Sequence, residues 1–430
     1  MALQDKIKNS VGSLAKSGFV HIISSSVINK IITFACGIIL VRILTKDAYG
    51  IYSYANNILG FFMLASGLGA SAAVLQLCSE RKTVEERERF YRFGCFFGLG
   101  SNIILGAIIL CSASLFNLPI AGSNYCLALM CLLPFAHLLS DLQIMYLRTE
   151  IRNKEYAYAN ILCTSLYFIC VTALSLLFKT EGLIAAQYVA YLLSALLIVL
   201  IFKVPVSFAR PKLSRSEIKD FFSISSISVV NNGLSRLMYL LDIFVLGLVV
   251  PDDTVIASYK VATNIPTALL FIPASIVIFI YPYFARNKDN KEWVTKNFKR
   301  VIFYLGIFNA AIAIAMFALA PWIISLVFGK QYLDAVGPFR ILCISYIFSG
   351  TFRTISGNIL VTQRKLKFNL FVSIVSSALN TFLNYFMIKA YGSIGAAWAT
   401  LITAVFCAIL CTSYLLYTFS KIPEGNSGKE

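Results

Sequence analysis

Tyr52-Ser53-Tyr54-Ala55-Asn56-Asn57-Ile58 reappears as Tyr259-Lys260-Val261-Ala262-Thr263-Asn264-Ile265, displaced by 207 residues. Asn102 meets Asn309 at the same displacement, and Gly182-Leu183-Ile184-Ala185-Ala186 meets Gly392-Ser393-Ile394-Gly395-Ala396 at 210. Matches that agree on one spacing along most of a chain mark a duplicated plan. Each copy falls in or beside an apolar run of about 20 residues, the length a helix needs to cross the hydrocarbon core. Working outward from these runs, spans are expected near 19–41, 49–77, 90–116, 125–147, 157–178, 182–202, 221–249, 255–284, 298–328, 336–361, 368–388 and 394–419. Six spans per half is an even number, so the halves keep one orientation, related by an axis along the membrane normal. The expected fold is all-α, about 12 transmembrane helices in two pseudo-symmetric six-helix bundles around a central cavity. Residues 1–203 form the first lobe, 204–220 a cytoplasmic connector with Pro205 and Pro211, and 221–430 the second lobe.

Composition agrees. The chain has 430 residues, 58% hydrophobic and 13% charged, with a mean hydropathy of +0.78. A soluble domain carries roughly a quarter charged residues. Inside lipid the backbone must satisfy its own hydrogen bonds, so the apolar runs are helices. Met1–Lys16 is basic and polar and leads into the first run without a small-x-small cleavage site, which reads as no cleavable signal.

Net charge is +17. The basic residues lie between apolar runs, so they read as topology signals and not as a nucleic-acid surface. Alternate connections hold 27 of the 37 Lys and Arg residues, including Arg81, Arg87, Arg89, Arg148, Lys203, Arg286 and Arg364. The opposite connections hold about seven: Arg42, Lys46, Lys179, Lys260, Lys330, Arg340 and Lys389. The bias places both termini in the cytoplasm. The mixed run Glu80 to Arg92 reads as a cytoplasmic loop or short surface helix laced with charge pairs.

Ionisable groups inside spans are costly and face a cavity or a partner. Lys30 lies midway through the first span and Arg236 midway through the seventh; a local displacement of 206 makes them equivalent. Ser26, Lys30, Thr33 and Gly37 share a helical face, as do Ser228, Asn232, Ser235, Tyr239 and Asp242. Ser345, Ser349, Arg353 and Ser356 form a third stripe, and Asn369, Ser373, Ser376, Asn380 and Asn384 a fourth. Uncharged stripes also serve as glue between helices. The stripes bearing Lys30, Arg236 and Arg353 predict a wet, electropositive cavity for an anionic ligand, since guanidinium and ammonium groups suit phosphate oxygens. Asn57, Asn232, Tyr239, Asn264 and Asn380 are candidate substrate contacts. Asp242 is a candidate proton or cation coupling site, and Asp141 a second buried acid. Pro266, Pro273 and Pro282 predict bends in the eighth span.

No GxGxxG, P-loop, HExxH or GxSxG pattern occurs, so the chain reads as a transporter, not an enzyme or an ATP-driven pump. Eleven cysteines without a CxxC, and only His21 and His137, support no disulfide framework, metal site or cofactor.

Leu40-Val41-Arg42-Ile43-Leu44-Thr45-Lys46-Asp47-Ala48-Tyr49-Gly50-Ile51-Tyr52 resembles the opening stretch of bacterial polysaccharide-biosynthesis flippases, and Gly67-Leu68-Gly69 and the segment at Gly392 are similar to the same family. This is the O-antigen and polysaccharide flippase branch of the multidrug/oligosaccharidyl-lipid/polysaccharide exporter superfamily. The resemblance implies two lobes and alternating access. It also implies an undecaprenyl-diphosphate oligosaccharide as substrate, proton or sodium coupling, and residence in the bacterial inner membrane among membrane lipid. The partners it implies are a polysaccharide polymerase and a chain-length regulator, with no nucleic acid. A multidrug cation antiporter and a lipid II flippase of the same superfamily are the alternatives. A membrane polysaccharide polymerase is a weaker one, because it would carry a long external loop.

Overall fold

The computed structural model describes residues 19–81, 83–205, 211 and 213–423. The side chains of Asn232, Arg236 and Tyr239 lie outside the described residues. The described elements are helical throughout. The first group is α1 (Phe19–Ile43), α2 (Lys46–Met63), α3 (Ala70–Glu80), α4 (Val84–Leu115), α5 (Ser123–Leu129), α6 (Leu133–Thr149) and α7 (Asn153–Phe202). There follow α8 (Arg215–Val249), α9 (Asp253–Leu269), α10 (Phe271–Arg286), α11 (Lys291–Ala318), α12 (Ala320–Val327), α13 (Val336–Ile347), α14 (Thr354–Thr362) and α15 (Leu366–Ser420). Among the described residues eight helices are long and apolar enough to cross a membrane, or nine if the α5–α6 pair, bent by 43°, counts as one span.

Two of these helices, α7 and α15, are antiparallel hairpins. Helical dihedrals fail at Phe178 and Lys179 in α7 and at Gly392 in α15. Eight residues of straight helix cover about 12 Å, yet a Cβ on Gly182 would collide with the carbonyl of Leu174, and one on Gly395 with that of Met387. Across the arms, Tyr167 and Tyr191 rings sit 5.8 Å apart, and the Ser376 hydroxyl lies 2.7 Å from the Cys407 thiol. The tight turns fall where the sequence expected short outer connections. They also shift the repeat register there: Gly182 plays the part of Gly395, one turn beyond the Gly392 with which the motif comparison paired it.

Other spans are broken within. Between α2 and α3 a turn at Ser66–Gly69 places Gly67, Leu68 and Gly69 at φ 58°, 45° and 81°. The left-handed region disfavours side chains, and a Cβ on Gly69 would strike the carbonyl of Ser225. Asn102 holds this break: it accepts from the Gly67 N–H at 2.6 Å and donates to Ser66 Oγ at 3.1 Å and the Pro134 carbonyl at 2.7 Å. Its repeat partner Asn309 donates to Thr351 Oγ1 at 3.0 Å and accepts from the Tyr346 hydroxyl at 2.8 Å, steadying a π-helical turn over Phe348–Arg353. Pro266 lies inside α9 and Pro273 in the first turn of α10, on either side of the short break at Leu270.

The Glu80 to Arg92 run is not a separate surface helix. It enters α4, capped by Thr83, and its arginines reach other elements: Arg87 pairs with Glu150 at 2.7 Å and Arg89 with Glu217. The chain divides into two compact units with the boundary between Arg236 and Leu237, inside α8. The first unit centres on Phe90, Val74, Leu147 and Phe221, and the second on Phe284, Phe298, Ile355 and Leu415.

Candidate functional site

In the second unit a cavity of about 220 Å³ is walled by Asp242 of α8, Lys260 of α9, Arg353 at the end of the π-helical turn, and Asn380 and Thr400 from the two arms of α15. Asp242 is held by neutral donors. Oδ1 accepts from Asn384 Nδ2 at 2.7 Å, and Oδ2 accepts from Thr400 Oγ1 at 2.8 Å and from the Tyr259 hydroxyl at 3.4 Å. Asn384 also donates to Asn380 Oδ1 at 3.0 Å. Its own Oδ1 is buried without a hydrogen-bond partner. Buried polar atoms are normally paired, so an orphan carbonyl oxygen beside a carboxylate calls for a cation or a proton donor. Asp242 is the one acid of this cluster, and Asn384 and Thr400 turn donors toward it, an arrangement short of the six or more oxygens a divalent cation takes and open to a proton or a monovalent cation.

Lys260 and Arg353 are half-buried and line the same cavity. The charge bias grouped Lys260 with the outer connections. The structure corrects this: α9 starts at Asp253, capped by Asp252, and carries Lys260 two turns into the helix. The repeat itself held the missed signal, since Lys260 sits inside the Tyr259–Ile265 motif. Ser345 and Ser349 of the predicted third stripe also line the cavity, whereas Ser356 turns away to Thr412 at 2.9 Å.

The other sequence candidates lie apart from this wall. Lys30 is exposed on α1 and lines neither this cavity nor the one in the first unit. Asn57 is buried in α2 with its Oδ1 unpartnered. Asn264 is half-buried on α9 but is not on the cavity wall. Asn232, Arg236 and Tyr239 belong to α8, and their side chains lie outside the described residues.

The repeat exposes an asymmetry. Tyr52 of the first unit accepts a hydrogen bond from Gln187 Nε2 at 2.7 Å, matching the contact of Tyr259 with Thr400. The position equivalent to Asp242, at the displacement of 206, is the buried Cys36. The first unit thus repeats the frame of this site without its acid.

Residues 39–337 match the family profile described as polysaccharide biosynthesis protein. The chain belongs to this family. Two curated relatives of the family member are an uncharacterized membrane protein of Methanocaldococcus jannaschii and an uncharacterized membrane protein in the cps region of Klebsiella pneumoniae. The first is 25% identical over 246 residues, covering 55% of this chain and 48% of the relative. The second is 26% identical over 162 residues, covering 37% and 32%. The chain therefore spans less than half of the length of each of these relatives. Among solved structures, an inward-facing multidrug resistance MATE family transporter of the MOP superfamily superposes at a TM-score of 0.77, with 14% identity and coverage of 93% and 96%. The lipid II flippase MurJ in an inward closed conformation superposes at 0.71, with 16% identity and coverage of 94% and 90%. At these identities the likeness establishes the fold: a multi-pass, all-α architecture of the MOP type.

Proposed function

We propose that the protein is an alternating-access transporter for a lipid-linked diphosphate, with undecaprenyl-diphosphate oligosaccharide as the substrate that suits the family description. The observation that carries this reading is that Lys260 and Arg353 both line one cavity of a polysaccharide-biosynthesis family member. A planar guanidinium and a flexible ammonium together suit the oxygens of a diphosphate. Lys30 and Arg236 extend the cationic set in this proposal, and Asn57, Asn232, Tyr239, Asn264 and Asn380 serve saccharide hydroxyls. Counting each arm of α7 and α15 as a span, and adding the α5–α6 pair and α8, makes twelve spans, six per half. The charge bias puts both termini in the cytoplasm of a bacterial cell. Asp242, Asn380, Asn384 and Thr400 are the residues that would hold the coupling cation or proton.

Two other readings take their substrates from solved structures of like fold: a drug, taken as a cation, after the multidrug resistance transporter, and lipid II, after MurJ. Asp242 on the cavity wall suits the former, and the cationic pair suits the latter. The deciding experiment offers reconstituted vesicles a lipid-linked oligosaccharide, lipid II and ethidium separately. The proposal expects flipping of the oligosaccharide lipid, reduced tenfold or more by Lys260→Ala and by Arg353→Ala. Transport of ethidium with both diphosphate lipids ignored would overturn it. Flipping of lipid II alone would replace the oligosaccharide reading.

A further inference from the structure

The first unit contains a cavity of about 380 Å³ whose chemistry differs from that of the second. No Lys or Arg is among its described lining residues; the polar groups are Asp141, His137, Ser66, Ser71 and Ser228. We propose that this cavity is a saccharide subsite in which Asp141, Ser71 and His137 hold sugar hydroxyls. The inference rests on the lipid-linked saccharide reading above and extends it to a place and a set of residues.

Asp141 and His137 are one turn apart on α6, so both face the same side. Ser71, in the first turn of α3, donates to Asp141 Oδ2 at 2.5 Å. A carboxylate has about four lone-pair sites, so most of its acceptor capacity is left for a ligand. The His137 ring stands edge-on to Tyr191, centroids 5.1 Å apart at 85°, which fixes the imidazole. An imidazole N–H donates, and serine hydroxyls both donate and accept. Sugar hydroxyls have this dual character too. Met63, Leu138 and Val229 provide an apolar floor suited to the C–H face of a pyranose. The volume lies near the lower end of the roughly 300–1,000 Å³ of small-molecule pockets, the size for one sugar residue.

Other ligands fit less well. A phosphate would meet the Asp141 charge. A lipid chain would strip water from a carboxylate without pairing it. A divalent cation takes six or more oxygens, and no group of three or more His, Cys, Asp or Glu is assembled among the described residues.

The test uses the purified full-length protein and two probes: oligosaccharide released by mild acid from lipid-linked precursors of expressing cells, and inorganic pyrophosphate. Thermal stabilisation is titrated for wild type, Asp141→Asn and Ser71→Ala, with the ligand-free Tm reporting folding of each variant. The expected result is that the oligosaccharide raises the wild-type Tm and its half-saturation weakens at least tenfold in both variants. Pyrophosphate, read by the Lys260 and Arg353 cavity, should stabilise all three proteins alike. The proposal is overturned if the wild type ignores the oligosaccharide, or if both folded variants keep the wild-type response. Pyrophosphate failing to stabilise wild type, with the saccharide response intact, would instead overturn the diphosphate reading of the other cavity.

Discussion

Asp242 offers a separation of charge from shape. Asp242→Asn keeps the size of the side chain and removes the carboxylate that gathers Asn384, Thr400 and Tyr259. If this cluster couples transport to an ion gradient, the variant loses gradient-driven accumulation in vesicles and keeps downhill exchange of substrate. A variant that still responds to sodium or proton gradients as wild type does would remove the coupling role. Gly69 supports a second residue-scale prediction. At φ 81°, with the Ser225 carbonyl where a Cβ would go, Gly69→Ala meets both left-handed strain and a backbone collision. The left-handed term alone is about 1–2 kcal/mol, so the variant should lose at least that much stability, read as a lower Tm in detergent. Asp242 and Arg353 were legible in the sequence because a charge inside an apolar run stands out. Lys260 was hidden by the charge count that located the outer connections, and Thr400 is a neutral residue whose role emerges only when the hairpin brings it to Asp242.

The hairpins and the broken spans show what governs the elements. Sequence reasoning found the connections at Lys179 and near Gly392, because polar and glycine positions interrupt the apolar runs there. It did not find the break at Ser66–Gly69, since Leu68 looks like any apolar residue and the turn depends on Asn102 from another helix. Asn102→Ala would leave the buried Gly67 N–H unpaired, a cost of roughly 1–3 kcal/mol. The expected outcome is a lower Tm; an unchanged Tm would mean that the turn closes without its asparagine. At the start of α8, Ser214 and Glu217 form a capping box: Glu217 Oε2 accepts from the Ser214 N–H at 2.7 Å, and Ser214 Oγ accepts from the Glu217 N–H at 3.3 Å. Burial pushes the Glu217 carboxyl up, but the hydrogen bonds Glu217 makes with Ser214 and the positive charges of Arg89 and Arg81 outweigh it, holding the group below its ordinary value. A carboxyl lowered on folding stabilises the fold above its unfolded pKa of about 4.3, and loses that effect as pH falls through the folded value. The Tm gap between wild type and Glu217→Gln should therefore be full at neutral pH and close below about pH 4.3. A gap independent of pH would assign the effect to shape alone.

At the scale of the whole molecule the duplication explains both what the halves share and where they diverge. Tyr52 with Gln187 and Tyr259 with Thr400 are one contact built twice, and Asn102 and Asn309 each hold an irregular backbone segment. Selection on a duplicated frame is free to specialise one copy: the acid is present at Asp242 and replaced by Cys36 in the other half, while Asp141 and His137 give the first unit a cavity of its own. Span number tests this duplicated plan most directly, because lengths and hydropathy alone yield eight or nine crossings among the described residues, and twelve requires that α7 and α15 each cross twice and that α8 crosses as well. An α7 that turned back within the membrane would leave Lys179 inside lipid, an expensive place for an ammonium group. A twice-crossing α7 puts it in water, on the outer side in the orientation proposed above. Lys179→Cys and Tyr391→Cys should therefore both react with an impermeant thiol reagent added to intact cells, while Thr83→Cys and Asp289→Cys react only after the cells are opened. The exposed Cys111 needs replacement first, since it would supply a background signal. Labelling of Lys179→Cys and Thr83→Cys from the same side would break the alternation, and with it the six-plus-six plan on which the repeat register of every site residue depends.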